Sequence, residues 1–391
     1  MKVSPDIQAL APYVPGKPIQ ETQREFGIKG VYKLASNENP CGPSPRAVAA
    51  IIKSLGSLNM YPDSYSFDLR KACAKRYSLP ESFFSFGNGS DELIDLLSRI
   101  FCSPGEIVLT SHCSFAAYKL RARASRAEII EVPMTQKYSI DLAAIAEWLH
   151  FHPSRDRARL VFLANPNNPT GSYLNHRQIE SFLKEMKNFP DVIVVLDEAY
   201  DAFVRASDFP NSIELLKEYQ NLVVIKTLSK VYGLAGLRLG ILMAHPTICD
   251  LMNRLRLPFN VNSLAQVAAI AAFEDVEYLE KSRHLIWQGL DYFYAQLEEM
   301  KLPFIQSQAN FVLFDTGRDA ELIYQELLKE GVILRPLTAY HLPQHLRMSV
   351  GLPSENEAAI LALKKLLNLA EEKSTKASSS YSKHNNQEAQ I

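Results

Sequence analysis

Between residues 83 and 226 the chain alternates short apolar runs rich in β-branched and aromatic residues with longer stretches whose apolar positions recur every three or four residues. The short runs are Phe83 to Phe86, Ile107 to Thr110, Glu128 to Val132, Leu160 to Ala164, Val192 to Leu196 and Leu222 to Lys226. Helical patterns fall between them at about 91 to 101, 115 to 126, 141 to 150, 175 to 187 and 212 to 219. This alternation predicts an α/β architecture. In Val192-Ile193-Val194-Val195-Leu196 every position is apolar, the pattern of a strand covered on both faces in a parallel sheet.

After about residue 275 the pattern changes to a long amphipathic helix through Met300, then Phe311 to Phe314, a helix near 319 to 330, Val332 to Leu334, Leu346 to Ser349 and a last helix from Ser354 to about Ala370. We expect a smaller α+β domain there, residues 285–372, joined by residues 31–60. The large domain spans 61–284, and 1–30 form an N-terminal arm. Residues 373–391 are rich in Ser, Lys, Asn and Gln without apolar periodicity, which predicts a disordered tail.

A chain of 391 residues is long enough for two such domains. Its 42 Lys plus Arg against 43 Asp plus Glu give a net charge of −1, which argues against nucleic acid and for a small-molecule substrate. Five cysteines at irregular spacing, with no C-x-x-C pair, predict reduced thiols and no metal site. No signal pattern opens the chain and no run approaches the length of a membrane span, so a soluble cytoplasmic protein is expected.

Polar residues cluster where the apolar runs stop. Asp197 ends the Val192 strand and is followed by Glu198-Ala199-Tyr200, and ligands of open α/β sheets bind beyond strand carboxyl ends. A carboxylate there can hold the proton on a pyridine nitrogen, although an acid that caps a helix or binds metal has the same signature. Asn165-Pro166-Asn167-Asn168-Pro169-Thr170-Gly171 is a sharp turn, in which Asn168, with Tyr200, can donate to a phenolic oxygen. Gly87-Asn88-Gly89-Ser90-Asp91-Glu92 leads from a strand into a helix whose first amides can cradle phosphate, or simply form an ordinary N-cap. Neither G-x-G-x-x-G nor G-x-x-x-x-G-K-[ST] is present, which excludes the common nucleotide loops.

Lys230 follows the run Val223 to Leu228 and precedes a glycine-containing turn that ends in Arg238. An amine desolvated beside another cation loses its proton more readily and can form an imine. Arg238, with Ser229 and Thr227, can grip a phosphate. Arg335 and Arg347 each follow apolar residues and offer forked donors suited to carboxylate or phosphate.

Together these segments resemble the fold type I pyridoxal-phosphate enzymes, specifically class I/II aminotransferases of the histidinol-phosphate aminotransferase kind. The resemblance runs through Ala11 to Pro18, Lys33 to Pro40, Tyr61-Pro62-Asp63, Gly87 to Glu92, Asn165 to Gly171, Asp197 to Tyr200, Thr227 to Lys230 with Gly233 to Arg238, Ala309 to Phe311 and Leu346-Arg347. It implies a mostly parallel seven-stranded sheet in the large domain and pyridoxal 5'-phosphate as cofactor. Lys230 is then the cofactor-bearing lysine and proton shuttle, with Asp197 at the ring nitrogen and Asn168 and Tyr200 at the ring oxygen. Ser90, the amide of Asp91, Thr227, Ser229 and Arg238 hold the phosphate, Glu92 counts among the cofactor-binding residues, and Phe115 stacks on the ring. Tyr61 reaches the phosphate site of a second subunit, which implies a homodimer. Tyr13, Asn37, Arg335 and Arg347 are implied for the substrate.

The implied reaction is transamination of histidinol phosphate with 2-oxoglutarate, giving imidazole acetol phosphate and glutamate in histidine biosynthesis. An aromatic or broad-range amino-acid aminotransferase, a phosphothreonine decarboxylase and a non-catalytic binding protein of the same fold are the alternatives. Phe115 in place of the branch's frequent tyrosine, Cys41 in the Asn-Glu-Asn-Pro-x-Gly motif and Ile241 in place of tyrosine depart from the pattern.

Overall fold

The computed structural model describes residues 3, 5–10, 12 and 15–367. The expected tail at 373–391 and Tyr13 lie outside the described residues. At the centre is a seven-stranded sheet in the order Phe84–Asn88, Leu239–Ala244, Leu222–Thr227, Ile193–Asp197, Ala158–Ala164, Ile107–Ser111 and Glu128–Val132. Leu239–Ala244 is antiparallel to both of its neighbours, and the other pairings are parallel. The three strands Ile193–Asp197, Leu222–Thr227 and Leu239–Ala244 are buried at every position, as the unbroken apolar run of the first predicted. The Leu239 strand was not among the expected runs, because the glycine turn before it dominated that stretch. The first strand starts one residue later than expected, since Phe83 closes a short 3-10 turn at Glu81–Phe83.

Helices cover both faces, and their ends are set by side chains. Asn175 and Gln178 form a reciprocal capping box at the start of His176–Met186, worth about 1 kcal/mol as such caps go. Asp141, Asn211 and Asn262 cap the helices Leu142–Phe151, Ser212–Glu218 and Ser263–Glu274. The helix Pro45–Ser54, capped by Ser44, packs against Ser263–Glu274.

Val276–Glu299 is the expected long helix, begun by the Asp275 cap. Its buried residues Ser282, Ile286, Gly289, Leu290, Phe293 and Leu297 recur at intervals of three and four. On one side Trp287 Nε1 donates to Phe203 O at 2.7 Å and Arg205 pairs with Asp291 at 2.7 Å. On the other, Gly289 comes so close to Val350 that a Cβ would lie 2.2 Å from its methyl, so only glycine fits.

The carboxyl-terminal region holds an antiparallel sheet in the order Arg335–Leu337, Leu342–Ser349, Phe311–Asp315 and Phe304–Ile305. Helix Ala320–Lys329 packs against it, and residues 353–367 are helical. Tyr32–Lys33 pairs in parallel with Val332–Ile333, so the beginning of the chain is stitched to its end.

Candidate active site

The carboxyl ends of the parallel strands converge on a cavity of about 430 Å³. Asn168 follows the Ala158 strand, Asp197 ends its own, and Thr227, Ser229 and Lys230 leave the Leu222 strand at the same edge. Arg238 reaches that edge for a different reason. It immediately precedes a strand that runs the other way, so its start lies where the others finish. From the carboxyl-terminal sheet come Arg335, Tyr340 and Arg347, and from the early chain Gly16, Ser36, Asn37 and Glu38.

Lys230 Nζ donates to Ser36 O at 3.1 Å and lies 5.7 Å from the Tyr200 ring centre. Burial, then the Arg347 and Arg238 charges, draw its pKa down to about 8, against the opposing pull of Glu38 and Asp91. Near neutral pH the amine therefore sheds its proton far more readily than a surface lysine. Asp197 is 4 % exposed, and burial lifts its carboxyl to about 6. It is held from rising further by the Tyr118 hydroxyl, which donates to Oδ2 at 2.7 Å, and by Ala199 N, which donates to Oδ1 at 3.2 Å. The Tyr118 ring is stacked on Phe162 at 4.7 Å.

The Tyr200 hydroxyl accepts from Asn37 Nδ2 at 2.9 Å and from Asn168 Nδ2 at 3.2 Å, and burial raises it to about 12. It stays protonated and able to donate. Arg347, 7 % exposed, donates to Asn168 Oδ1 at 2.5 Å and to Ala35 O at 2.7 Å, and its guanidinium lies over the Phe311 ring at 5.1 Å. Arg335 stands directly opposite Arg347 in the antiparallel ladder. Like charges facing each other across a ladder cost free energy unless an anion comes between them.

An anion site is built at the start of helix Ser90–Phe101. Gly240 backs against it so closely that a Cβ would meet Gly89 C at 2.6 Å and Ser90 N at 2.7 Å. Gly89, at φ +79°, leaves room for the Arg238 guanidinium, whose Nη2 would lie 2.4 Å from a Cβ there. Arg238 itself adopts φ 59°, a left-handed conformation that a non-glycine residue takes only at some cost. It sits 3.6 Å from Asp91, while the Thr227 hydroxyl donates to Ser229 Oγ at 3.1 Å. Helix amides, two hydroxyls and a guanidinium make a phosphate cradle. A reactive amine, a buried acid and that cradle around one cavity are the donor set a phosphorylated pyridine aldehyde requires.

Of the residues singled out in the sequence, Ser90, Asp91, Phe115, Asn168, Asp197, Tyr200, Thr227, Ser229, Lys230, Arg238, Asn37, Arg335 and Arg347 line this cavity. Glu92 does not: its carboxylate accepts from Asn260 Nδ2 at 2.8 Å and from Asn88 N at 2.5 Å. Tyr61 is 81 % exposed and stacked on Phe259 at 4.7 Å. Tyr118 escaped the sequence reading although it follows Phe115 by three residues, a spacing that puts both on one helix face. Ser36 and Glu38 line the cavity too and fall within the Lys33 to Pro40 motif, although only Asn37 of that motif was expected there; Tyr340 has no local pattern to mark it.

The chain matches the model of the family "Aminotransferase class I and II" over residues 29–363. This chain belongs to that family. The aminotransferase is 52 % identical to a histidinol-phosphate aminotransferase of Bdellovibrio bacteriovorus over 94 % of its own length and 98 % of the relative's. It is 44 % identical to histidinol-phosphate aminotransferase 2 of Pseudomonas fluorescens, over 93 % and 96 % respectively. Among solved structures it resembles the histidinol-phosphate aminotransferase of Sinorhizobium meliloti in complex with pyridoxal-5'-phosphate, with a TM-score of 0.85 and 27 % identity, covering 94 % of this chain and 98 % of that one. The fold is therefore that of the type I pyridoxal-phosphate aminotransferases, and the protein is a transaminase.

Proposed function

We propose that this transaminase uses pyridoxal phosphate to move the amino group of histidinol phosphate to 2-oxoglutarate, giving imidazole acetol phosphate and glutamate in histidine biosynthesis. When bound, pyridoxal phosphate supplies an aldehyde for an amine and a ring that draws electrons from the substrate carbon. Lys230 would hold the cofactor, then take and return a proton at Nζ, for which a pKa of about 8 suits it. Asp197 would keep the ring nitrogen protonated. Asn168 and Tyr200 would donate to the ring oxygen, Phe115 would stack on the ring, and Ser90, Asp91, Thr227, Ser229 and Arg238 would hold the phosphate.

The observation that carries the substrate reading is the facing pair Arg335 and Arg347, which supports a substrate with an anionic group of its own. Forked guanidinium donors fit a phosphate monoester in two directions at once. Arg347 is buried against the cofactor-side Asn168, whereas Arg335 also borders a neighbouring cavity of about 330 Å³ that can take a distal group.

A homodimer fits the exposed apolar residues Ile52, Leu58, Met60, Tyr61, Tyr65 and Phe67, which continue to Leu257 and Phe259 through the Tyr61–Phe259 stack. A second copy of the chain would cover them and bring Tyr61 toward the partner's phosphate cradle. The five free thiols suit the cytoplasm.

Purified enzyme loaded with pyridoxal phosphate and mixed separately with histidinol phosphate, phenylalanine and phosphothreonine tests the reading. We expect histidinol phosphate to discharge the cofactor's visible band fastest and to yield the ketone. Fast reaction of phenylalanine with none of histidinol phosphate would overturn it in favour of an aromatic aminotransferase.

A further inference from the structure

Strand alternation that turns Asp197 and Thr227 toward the cavity turns Glu198 and Lys226 away from it. Behind the site these two meet. Lys226 Nζ donates to Glu198 Oε2 at 2.6 Å and also to the Asp201 carboxylate, and Ser212 Oγ donates to Glu198 Oε2 at 2.9 Å. Glu198 is 1 % exposed and Lys226 9 %. Tyr77, Tyr232 and Arg76 are the other polar groups that feel this cluster. The backbone ties the same two segments together, with Glu198 N donating to Ile225 O at 2.8 Å.

Buried ion pairs are costly to assemble, and apolar residues of similar volume often stabilise a fold as well or better. This cluster touches none of the cavity, so its placement calls for another reason. Its sequence neighbours supply one. Glu198 and Asp201 bracket Tyr200 and follow Asp197, and Lys226 stands four residues before Lys230. One ammonium thus fastens the turn that follows the acid and carries the phenol to the strand that leads into the turn of the amine.

We propose that Lys226, Glu198 and Asp201 are positioning residues for transamination: their buried ion cluster fixes Lys230 relative to Asp197 and Tyr200. The proposal rests on the roles given above to those three residues. Lys226→Met keeps the apolar stem and removes the fastening charge, and Asp201→Asn loosens it more gently.

Hydrogen exchange of the cofactor-free chain comes first, because it does not depend on the cofactor assignment. In Lys226→Met, the amides of 198–203 and 227–233 should exchange at least tenfold faster while those of 158–164 stay as in the wild type. In the loaded enzyme, kcat should fall at least tenfold with the KM of the amino donor within threefold, and the pH at which the visible band titrates should move. Should Lys226→Met not fold, Asp201→Asn carries the same comparison. Unchanged exchange or unchanged kcat in the folded variant overturns the proposal. Failure of the wild-type chain to take up pyridoxal phosphate would instead overturn the reading of Lys230, which the exchange comparison does not use.

Discussion

The Tyr118 hydroxyl and the Asp197 carboxylate are joined by a hydrogen bond of 2.7 Å at the buried floor of the cavity. Burial holds the phenol in its protonated form, so it donates at every working pH. The bond stabilises the charged acid and opposes the rise to about 6 that burial imposes.

Tyr118→Phe removes that donor and leaves the ring stack on Phe162. A hydrogen bond to a charged group is worth about 1.5–3 kcal/mol, and a pKa unit about 1.4 kcal/mol, so Asp197 should rise by about one unit or more. The sign is upward because the bond favoured the ionised form. We expect the acid limb of the kcat/KM profile to move toward neutral pH by that amount, measured on wild type and variant in parallel.

Lys230 gives the opposite limb. Its capture of an aldehyde needs the neutral amine, and with a pKa of about 8 that form grows as pH rises from 7 to 9. The rate at which the cofactor-free chain takes up pyridoxal phosphate should climb through about pH 8 and level off above it. Lys230→Ala should take up none covalently and lose at least about 10³-fold in kcat, within the range ascribed to a lost acid–base group.

Gly240→Ala tests the phosphate cradle without touching a charged group. The new methyl would press on the backbone of Gly89 and Ser90, which cannot swing aside as a side chain can. Equilibrium binding of pyridoxal phosphate should weaken at least about tenfold, since the first amides of the helix are displaced from the anion. Gly236→Ala, where a Cβ meets nothing within 4 Å, should bind as the wild type does.

Arg335→Gln separates substrate classes. A forked donor lost from a phosphate should lower kcat/KM for histidinol phosphate by about tenfold or more, in line with about 1.5–3 kcal/mol for a charged hydrogen bond. Phenylalanine, which has no distal anion, should change less than threefold. Equal losses for both would mean that Arg335 does not read the phosphate.

The strands and their polar ends were legible because each is a local pattern. Val192 to Asp197 announces its burial and its ligand-facing acid within six residues, and Lys230 and Arg238 bracket one turn. What the sequence withheld was pairing at a distance. Nothing near Arg335 says that Arg347 faces it, and nothing near Lys226 says that Glu198 waits behind the acid. Glu92 illustrates the converse: its motif was read correctly as a helix start, yet a residue two places beyond Ser90 has already turned away, toward Asn260. The antiparallel direction of Leu239–Ala244, on which the position of Arg238 depends, is likewise set by sheet pairing and not by the residues of that strand.

Lys230 leans on Ser36, Arg347 on Ala35, and Asn37 is held by both Ser349 and Asn310. Residues made early in synthesis are thus locked in place by residues made some three hundred positions later. All seven strands of the large sheet and the lysine turn are made by residue 244, yet the cavity is unfinished until Arg335, Tyr340 and the Leu342–Ser349 strand with Arg347 have followed. A chain cut before Arg335 would keep Lys230 and the phosphate cradle but lose both arginines that the carboxyl-terminal sheet brings to the cavity.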